Sequence, residues 1–294
     1  MTGIRIGALI LPEHRWEEAT PRWRRAEELG LDHVWTYDHL TWRSFRDRAW
    51  FGAVPTLAAA AVVTQRIRIG MLVASPNFRH PVPFAKEVVT LDDISRGRLT
   101  VGLGAGADGW DATMLGNAPW SRRERADRFA EFVSALDVLL REPSASFAGT
   151  FYSADEARTV PGCVQQPRVP FAVAATGPRG MALAAGLGDV WVTTGDRTQA
   201  PGADAVTGAR MVSQQVARLE DACAAQGRDP STVDRLVLTG PQLDPCLSSP
   251  AAFVDACGHY TEAGVTDLVV HWPRPDEPYR GDEAAFERAV TDRG

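Results

Sequence analysis

The chain has 294 residues, 45% of them apolar, and a formal net charge of −6. That length suits two average domains or one large α/β barrel, and the apolar share excludes a disordered chain. The mild acidic charge is spread along the sequence and offers no basic face, so a nucleic-acid partner is not expected.

Read in chain order, short apolar runs alternate with helical patterns. Ile4 to Ile10 reads as a first strand, and Trp16, Ala19, Trp23 and Ala26 recur at helical spacing until Gly30 caps the end. Val34 to Tyr37 is a second strand, followed by a Trp- and Arg-rich loop and an Ala-rich helix over 56–64. "RIRIGMLV" (66–73) alternates as a strand, 83–94 as a helix stopped near Gly97, and "RLTVGLGAG" (98–106) as a strand running into glycines. An amphipathic helix is expected over 122–140, with Ala126, Phe129, Val133, Leu136 and Leu140 on one face.

Residues 141–168 break this rhythm and read as an insertion over the barrel surface with a short hairpin. Strands resume at 169–175, 189–194, 235–240 and 266–272, with helices near 178–187, 205–227, 250–263 and 282–291. Eight strands, most followed by a helix, predict a single (β/α)8 TIM-barrel domain over 1–294, with its insertion between strands 4 and 5.

Other signals narrow the chemistry. Lys86 is the only lysine, so a Schiff-base mechanism has one candidate residue. Cys163, Cys223, Cys246 and Cys257 show no CxxC pair, the spacing of free thiols in a reducing compartment. The histidines show no metal-ligand spacing, so no metal is expected. No signal-peptide pattern and no apolar run near ~20 residues is visible, which predicts a cytoplasmic protein without a membrane partner.

In such a barrel the active site lies at the C-terminal strand ends. Asp38 and His39 stand there after the second strand, and His39 is a proton donor or acceptor near neutral pH. "GLGAG" (102–106) lacks the dinucleotide fingerprint and reads as backbone that a flat ring approaches closely. "ATGPRGMALAA" (175–185) places Thr176 and Gly177 before Pro178 at a helix start, where free amides and Arg179 suit a phosphate.

The stretches "AEELGLDHVWTYDHL", "IRIGMLVASPNFRHPVPFAKEVVTLDDISRGRLTVGLGAG", "RERADRFAEFVSALDVLL" and "QQPRVPFAVAATGPRGMALAAGLGDVWVTTG" together resemble the bacterial luciferase-like flavin/deazaflavin oxidoreductase superfamily. "LDDISRGRLTVGLGAG" is the most specific piece, and the resemblance covers roughly residues 4 to 195. It implies a TIM barrel, usually a homodimer, that holds FMN or coenzyme F420 at the strand ends. Asp38 and His39 then match the pair near the ring's reactive face, with Asp38 orienting His39 or contacting the ring. Leu72 and Val73 match a strand-three bulge with a non-proline cis peptide, Ala105 and Gly106 a loop beside the ring, and Ala175, Thr176, Gly177, Arg179 and Gly180 the phosphate-side loop.

An aromatic close behind the pair, Trp42, is the pattern of the F420 branch. Sugar-phosphate dehydrogenases of that branch place a glutamate directly after the Gly-x-Gly of strand four; here that position is Ala107, with Asp108 next. The expected function is hydride transfer between F420 and a small, less charged organic substrate (C=C, C=N or carbonyl/alcohol), with Trp42, Phe78 and Trp110 forming an apolar pocket wall. The alternatives are an FMN-dependent monooxygenase using reduced flavin and O2, and a flavin- or deazaflavin-binding protein without turnover.

Overall fold

A computed structural model describes residues 3–199, 201–240 and 242–291. Runs rich in Val, Ile and Leu hide both faces only in a covered parallel sheet, and eight of them close into a barrel. The barrel strands are β1 (Arg5–Leu9), β2 (His33–Thr36), β3 (Arg68–Ala74), β4 (Leu99–Leu103), β7 (Phe171–Ala174), β8 (Val190–Thr193), β9 (Asp234–Leu238) and β10 (Asp267–His271). Their order is β1-β10-β9-β8-β7-β4-β3-β2, every pairing parallel, and the ring closes where Arg5 to Leu9 lie in register with Asp267 to His271. The helices α1 (Trp16–Glu28), α2 (Ala53–Val63), α3 (Pro81–Ser95), α4 (Arg122–Arg141), α5 (Pro178–Leu187), α6 (Ala205–Ala224), α7 (Pro250–Glu262) and α8 (Glu283–Thr291) follow the strands.

The expected rhythm is therefore present, with small shifts at the edges. The second strand begins one residue earlier than expected and the Ala-rich helix three, because Gly52 is already extended at its N-cap. The irregular stretch after α4 holds a hairpin of β5 (Ser144–Ala148) and β6 (Ser153–Arg158), antiparallel and separate from the barrel. Its turn is tied down by Glu131 of α4, whose carboxylate accepts the Phe151 and Tyr152 amides at 2.8 and 2.7 Å.

Strand alternation divides the core into two clusters. Ile6, Val34, Ile69, Val101, Phe171, Trp191 and Leu268 point outward against the helices. Leu9, Trp35, Leu72, Ala172, Val192, Leu236 and Val269 fill the barrel interior. The inward column of β2 runs His33, Trp35, Tyr37, and that of β10 runs Asp267, Val269, His271. The strand between them, β1, carries Gly7 inward, where a Cβ would stand 2.0 Å from His33 Nδ1.

Because Gly7 leaves that space, His33 crosses in front of β1 and donates from Nε2 to Asp267 at 3.0 Å. Trp35 Nε1 donates to the other ring nitrogen at 2.7 Å, and Arg5 binds both Asp267 oxygens at 2.7 and 2.6 Å. Burial alone would raise the Asp267 pKa; the hydrogen bonds from His33 and Arg5 outweigh it and hold the carboxyl well below the usual range.

Two glycines test this packing from opposite sides. A Cβ at Gly70 would lie 2.4 Å from the buried Trp35 ring and 2.6 Å from the Thr100 carbonyl, whereas Gly258 of α7 has no heavy atom within 4 Å of its Cβ position. Gly70→Ala is expected to lower stability by about 1–3 kcal/mol through overpacking. Gly258→Ala is expected to raise it by about 0.4–1 kcal/mol, chiefly by restricting the unfolded chain. Urea denaturation of both variants checks this, and a Gly70→Ala protein as stable as the parent would refute the interior register.

Candidate active site

The second strand stops where its neighbours allow no further ladder: Thr36 Oγ1 donates to the Ile10 carbonyl at 2.8 Å, and the chain then turns across the barrel mouth. Asp38 follows, only 2% exposed, so its charge needs a partner. Arg79, from the loop after β3, supplies it: Nη2 lies 2.8 Å from Oδ1, Nε meets Oδ2, and Nη1 continues to Glu87 at 2.7 Å. The expectation that Asp38 orients His39 is thereby corrected. Both Asp38 oxygens are committed to a guanidinium, a planar two-point match that a turning carboxylate would have to break.

The acid that orients His39 is Asp111, which sequence reasoning passed over. His39 Nδ1 is hydrogen-bonded to Asp111 Oδ2, and Oδ1 accepts the Leu40 amide at 2.8 Å and the Thr41 amide at 3.3 Å. A short 3-10 turn over Trp110–Ala112 aims Asp111 inward and leaves it buried. Asp108, the acid nearest the departed glutamate position, pairs instead with Arg125 on α4. Trp50 Nε1 donates to the His39 carbonyl at 2.9 Å, so ring and backbone are both held. Nε2 has no protein partner among the described residues, and the side chain is partly exposed.

The residues expected beside a planar cofactor come together at the same mouth. The β3 register shifts between Met71 and Ala74, and the Leu72–Val73 peptide is cis, as the resemblance implied. Leu72 is buried and Val73 half-buried; a Cβ at Gly104 would stand 2.4 Å from Val73 Cγ2. Gly106, at φ +74°, leaves room for Asn77, whose Nδ2 donates to the Ala107 carbonyl at 3.1 Å. Asn77 Oδ1 is buried without a partner, an acceptor left over at this edge. Ala105 is half-buried and Gly106 exposed.

After β7, the neighbour of β4 in the ring, Ala175, Thr176 and Gly177 lead into α5, and no side chain caps that helix start. Thr176 and Gly177 are exposed, and a Cβ at Gly180 would press on Ala175. Arg179 is committed to Asp127 of α4 and stands as an ion pair beside this loop. The open amides, the orphaned Asn77 oxygen and the glycine-lined wall fit a flat ring with an anionic tail.

The three aromatics expected as a pocket wall differ in place. Trp42 is buried at the centre of a stack, 5.8 Å from Trp50 and 6.1 Å from Tyr279 between centroids, and 6.5 Å from His39. Phe78 is half-buried under Arg79, whose guanidinium carbon is 5.2 Å from the ring. Trp110 is 40% exposed and covered by the Arg46 guanidinium at 3.8 Å, so it faces outward while Asp111 beside it faces in.

A second polar pair repeats the floor geometry one layer up. Tyr37 Oη and His271 Nε2 are hydrogen-bonded at 2.7 Å across β1. Tyr279 stacks on His271 with centroids 3.4 Å apart. Burial lowers the His271 pKa to about 3, so the imidazole is neutral and rigidly placed. His271 also lines a cavity of about 560 Å³, together with Arg43, Gly240 and Tyr279; His39 lies outside it, beyond Trp42.

Residues 1–245 match the family described as luciferase-like monooxygenase. The F420-dependent glucose-6-phosphate dehydrogenase of Beutenbergia cavernae is 37% identical over 172 residues, 58% of this chain and 50% of that protein. The F420-dependent hydroxymycolic acid dehydrogenase of Mycobacterium tuberculosis is 28% identical over 233 residues, 78% of this chain and 60% of that protein. The chain thus spans about half to three-fifths of the length of these curated relatives. Among solved structures, an F420-dependent secondary alcohol dehydrogenase in complex with an F420-acetone adduct superposes with a TM-score of 0.79 at 18% identity, covering 98% of this chain and 97% of that one, and so shares its fold.

The buried imidazole gives a pH signature. His271 takes its proton near pH 6.5 when unfolded but only near pH 3 when folded. The unfolded chain therefore binds more protons across that window, and stability falls as pH drops, by up to about 1.4 kcal/mol per pH unit from this residue. His271→Gln is expected to flatten the stability curve between pH 6 and 4.5, above the range where Asp267 contributes. Denaturation midpoints at several pH values decide it; an unchanged slope would show that the folded imidazole titrates normally.

Proposed function

Since the chain belongs to the luciferase-like monooxygenase family, we propose that it is an F420-dependent oxidoreductase that transfers a hydride between the deazaflavin and a small organic substrate. The observation that carries this reading is the Asp111–His39 pair at the barrel mouth, with Nε2 left open. The F420-dependent relatives and the fold shared with an F420-dependent alcohol dehydrogenase support the choice of cofactor.

In this proposal Leu72, Val73, Ala105 and Gly106 hold the ring, and Ala175, Thr176, Gly177 and Gly180 receive the phosphate side, with Arg179 adding charge nearby. The bound deazaflavin supplies the hydride chemistry. The protein's own part is the proton. With Nδ1 pinned to Asp111, the imidazole presents Nε2 in one orientation and one tautomer, and Asp111 stabilises the charged form when Nε2 takes a proton. His39 is thus the base when an alcohol is oxidised and the acid when a double bond or carbonyl is reduced. Asp38, tied to Arg79, keeps the strand end in place and does not move a proton.

The absence of a titratable requirement for mere ring binding favours an enzyme over a binding protein: a lone holder needs no carboxylate-oriented imidazole. A homodimer in the cytoplasm is proposed on the family resemblance, and light scattering checks the first part.

His39→Ala is expected to bind F420 as the parent does and to lose roughly 10²–10⁴-fold in turnover, the usual share of a general acid–base group. Asp111→Asn should lose less and shift the pH profile, since the ring keeps a neighbour but not its charge. Anaerobic titration with F420 and, separately, FMN, followed by fluorescence, checks the cofactor: tight binding of FMN alone would replace this reading with the monooxygenase.

A further inference from the structure

The cavity beside His271 has a lining that the proton chemistry at His39 does not use. Its walls are apolar where Pro245, Leu247, Pro273 and Pro278 face it, and Tyr279 forms one side. Five charged residues also line it: Arg43, Arg280, Asp244, Glu277 and Asp282. Two of the carboxylates are already employed by the backbone. Asp244 accepts the Cys246 amide at 2.6 Å, and Asp282 accepts the Ala285 amide at 2.7 Å at the start of α8. Asp244 also lines a shallower depression together with Asp204 and Asp255.

Arg43 is different. Its side chain forms no hydrogen bond or ion pair among the described residues, although many arginines in this chain do; the Trp42 ring lies 4.8 Å from its guanidinium carbon. Arg43 is also held at φ +44°, a left-handed conformation that is strained for a non-glycine residue. Arg43 is exposed, lies over the buried Trp42 ring and lines the apolar cavity, so its donors are open to a ligand that enters from solvent. Arg43 and Arg280 are the cations of a lining that also holds Asp244, Glu277 and Asp282, so an anion would be taken by a guanidinium directly and not by the net charge of the cavity.

Trp42 links the two regions: its ring is 6.5 Å from His39 on one side and 4.8 Å from the Arg43 guanidinium on the other. We propose that the cavity takes the far end of the substrate and that Arg43 binds a carboxylate there, so that the substrate is an apolar organic acid whose carboxylate is remote from the carbon that exchanges hydride. This rests on the hydride-transfer reading of the site. A guanidinium and a carboxylate meet in a two-point, charge-assisted match, while the proline walls reward a carbon chain and offer little to a sugar hydroxyl.

Calorimetric titration with hexanoate and with its neutral counterpart hexanamide tests this. The parent protein should bind hexanoate saturably and hexanamide roughly tenfold more weakly, the difference one charge-assisted match supplies. Arg43→Gln should erase that preference, Arg43→Lys should keep part of it, and Glu277→Gln should tighten hexanoate. Equal binding of acid and amide, binding of neither, or an undiminished preference in Arg43→Gln overturns the proposal. The same samples are titrated with F420. Unchanged F420 binding by Arg43→Gln shows the mouth intact, whereas a parent protein that selects hexanoate but ignores F420 keeps the anion site and sinks the hydride-transfer reading.

Discussion

A parallel barrel must join its first strand to its last, and here that seam is made by five register pairs and one buried carboxylate. Asp267 takes hydrogen bonds from Arg5 on the adjoining strand and from His33 one strand further on. The reach from His33 is possible only because β1 is bare at its centre, where Gly7 stands. An ion pair in a dry interior is expensive unless every lone pair is met, and Asp267 meets this demand through Arg5, His33 and Thr266. The floor thereby fixes the angle at which β2 and β10 rise. Four residues later those strands deliver Tyr37 and His271 to each other in the same crossing.

The mouth is built on that frame by long-range polar pairs, each with a distinct duty. Arg79 neutralises Asp38 and so lets the chain turn inside the barrel rim. Asp111 holds the imidazole and two amides of the segment that carries it. Tyr37 is hydrogen-bonded to His271 and packs on Trp42, with ring centroids 5.0 Å apart. These groups sit within a few ångströms of one another yet do not exchange partners, because each acceptor is saturated by its own donor.

The sequence revealed the parts of this design that repeat with a short period. Strand alternation, helix faces and the glycine run after β4 were legible because they depend on neighbours two to four residues away. The cis bulge at Leu72–Val73 was legible only through resemblance. What escaped were pairings across the fold: His39 with Asp111, 72 residues on, and Tyr37 with His271, 234 residues on. Asp38 was noticed for the right reason, a charge at a strand end, and given the wrong partner, because Arg79 stands in a different loop. Metal-ligand spacing could not single out His271, whose companions Tyr37 and Tyr279 are aromatic, and Trp110 reads as a wall residue although the turn that buries Asp111 exposes its neighbour.

The seam also sets an order on synthesis. Arg5 and His33 leave the ribosome early, whereas Asp267 is made some 230 residues after His33. Until it arrives, a nascent sheet of the first strands holds the His33 imidazole without the buried acid it faces, and cannot bury that end of the barrel without cost. Partial barrels are thus kept from settling as dry, finished-looking cores. The last strand acts as a proofreading step: the interior can lock only when the whole ring is present.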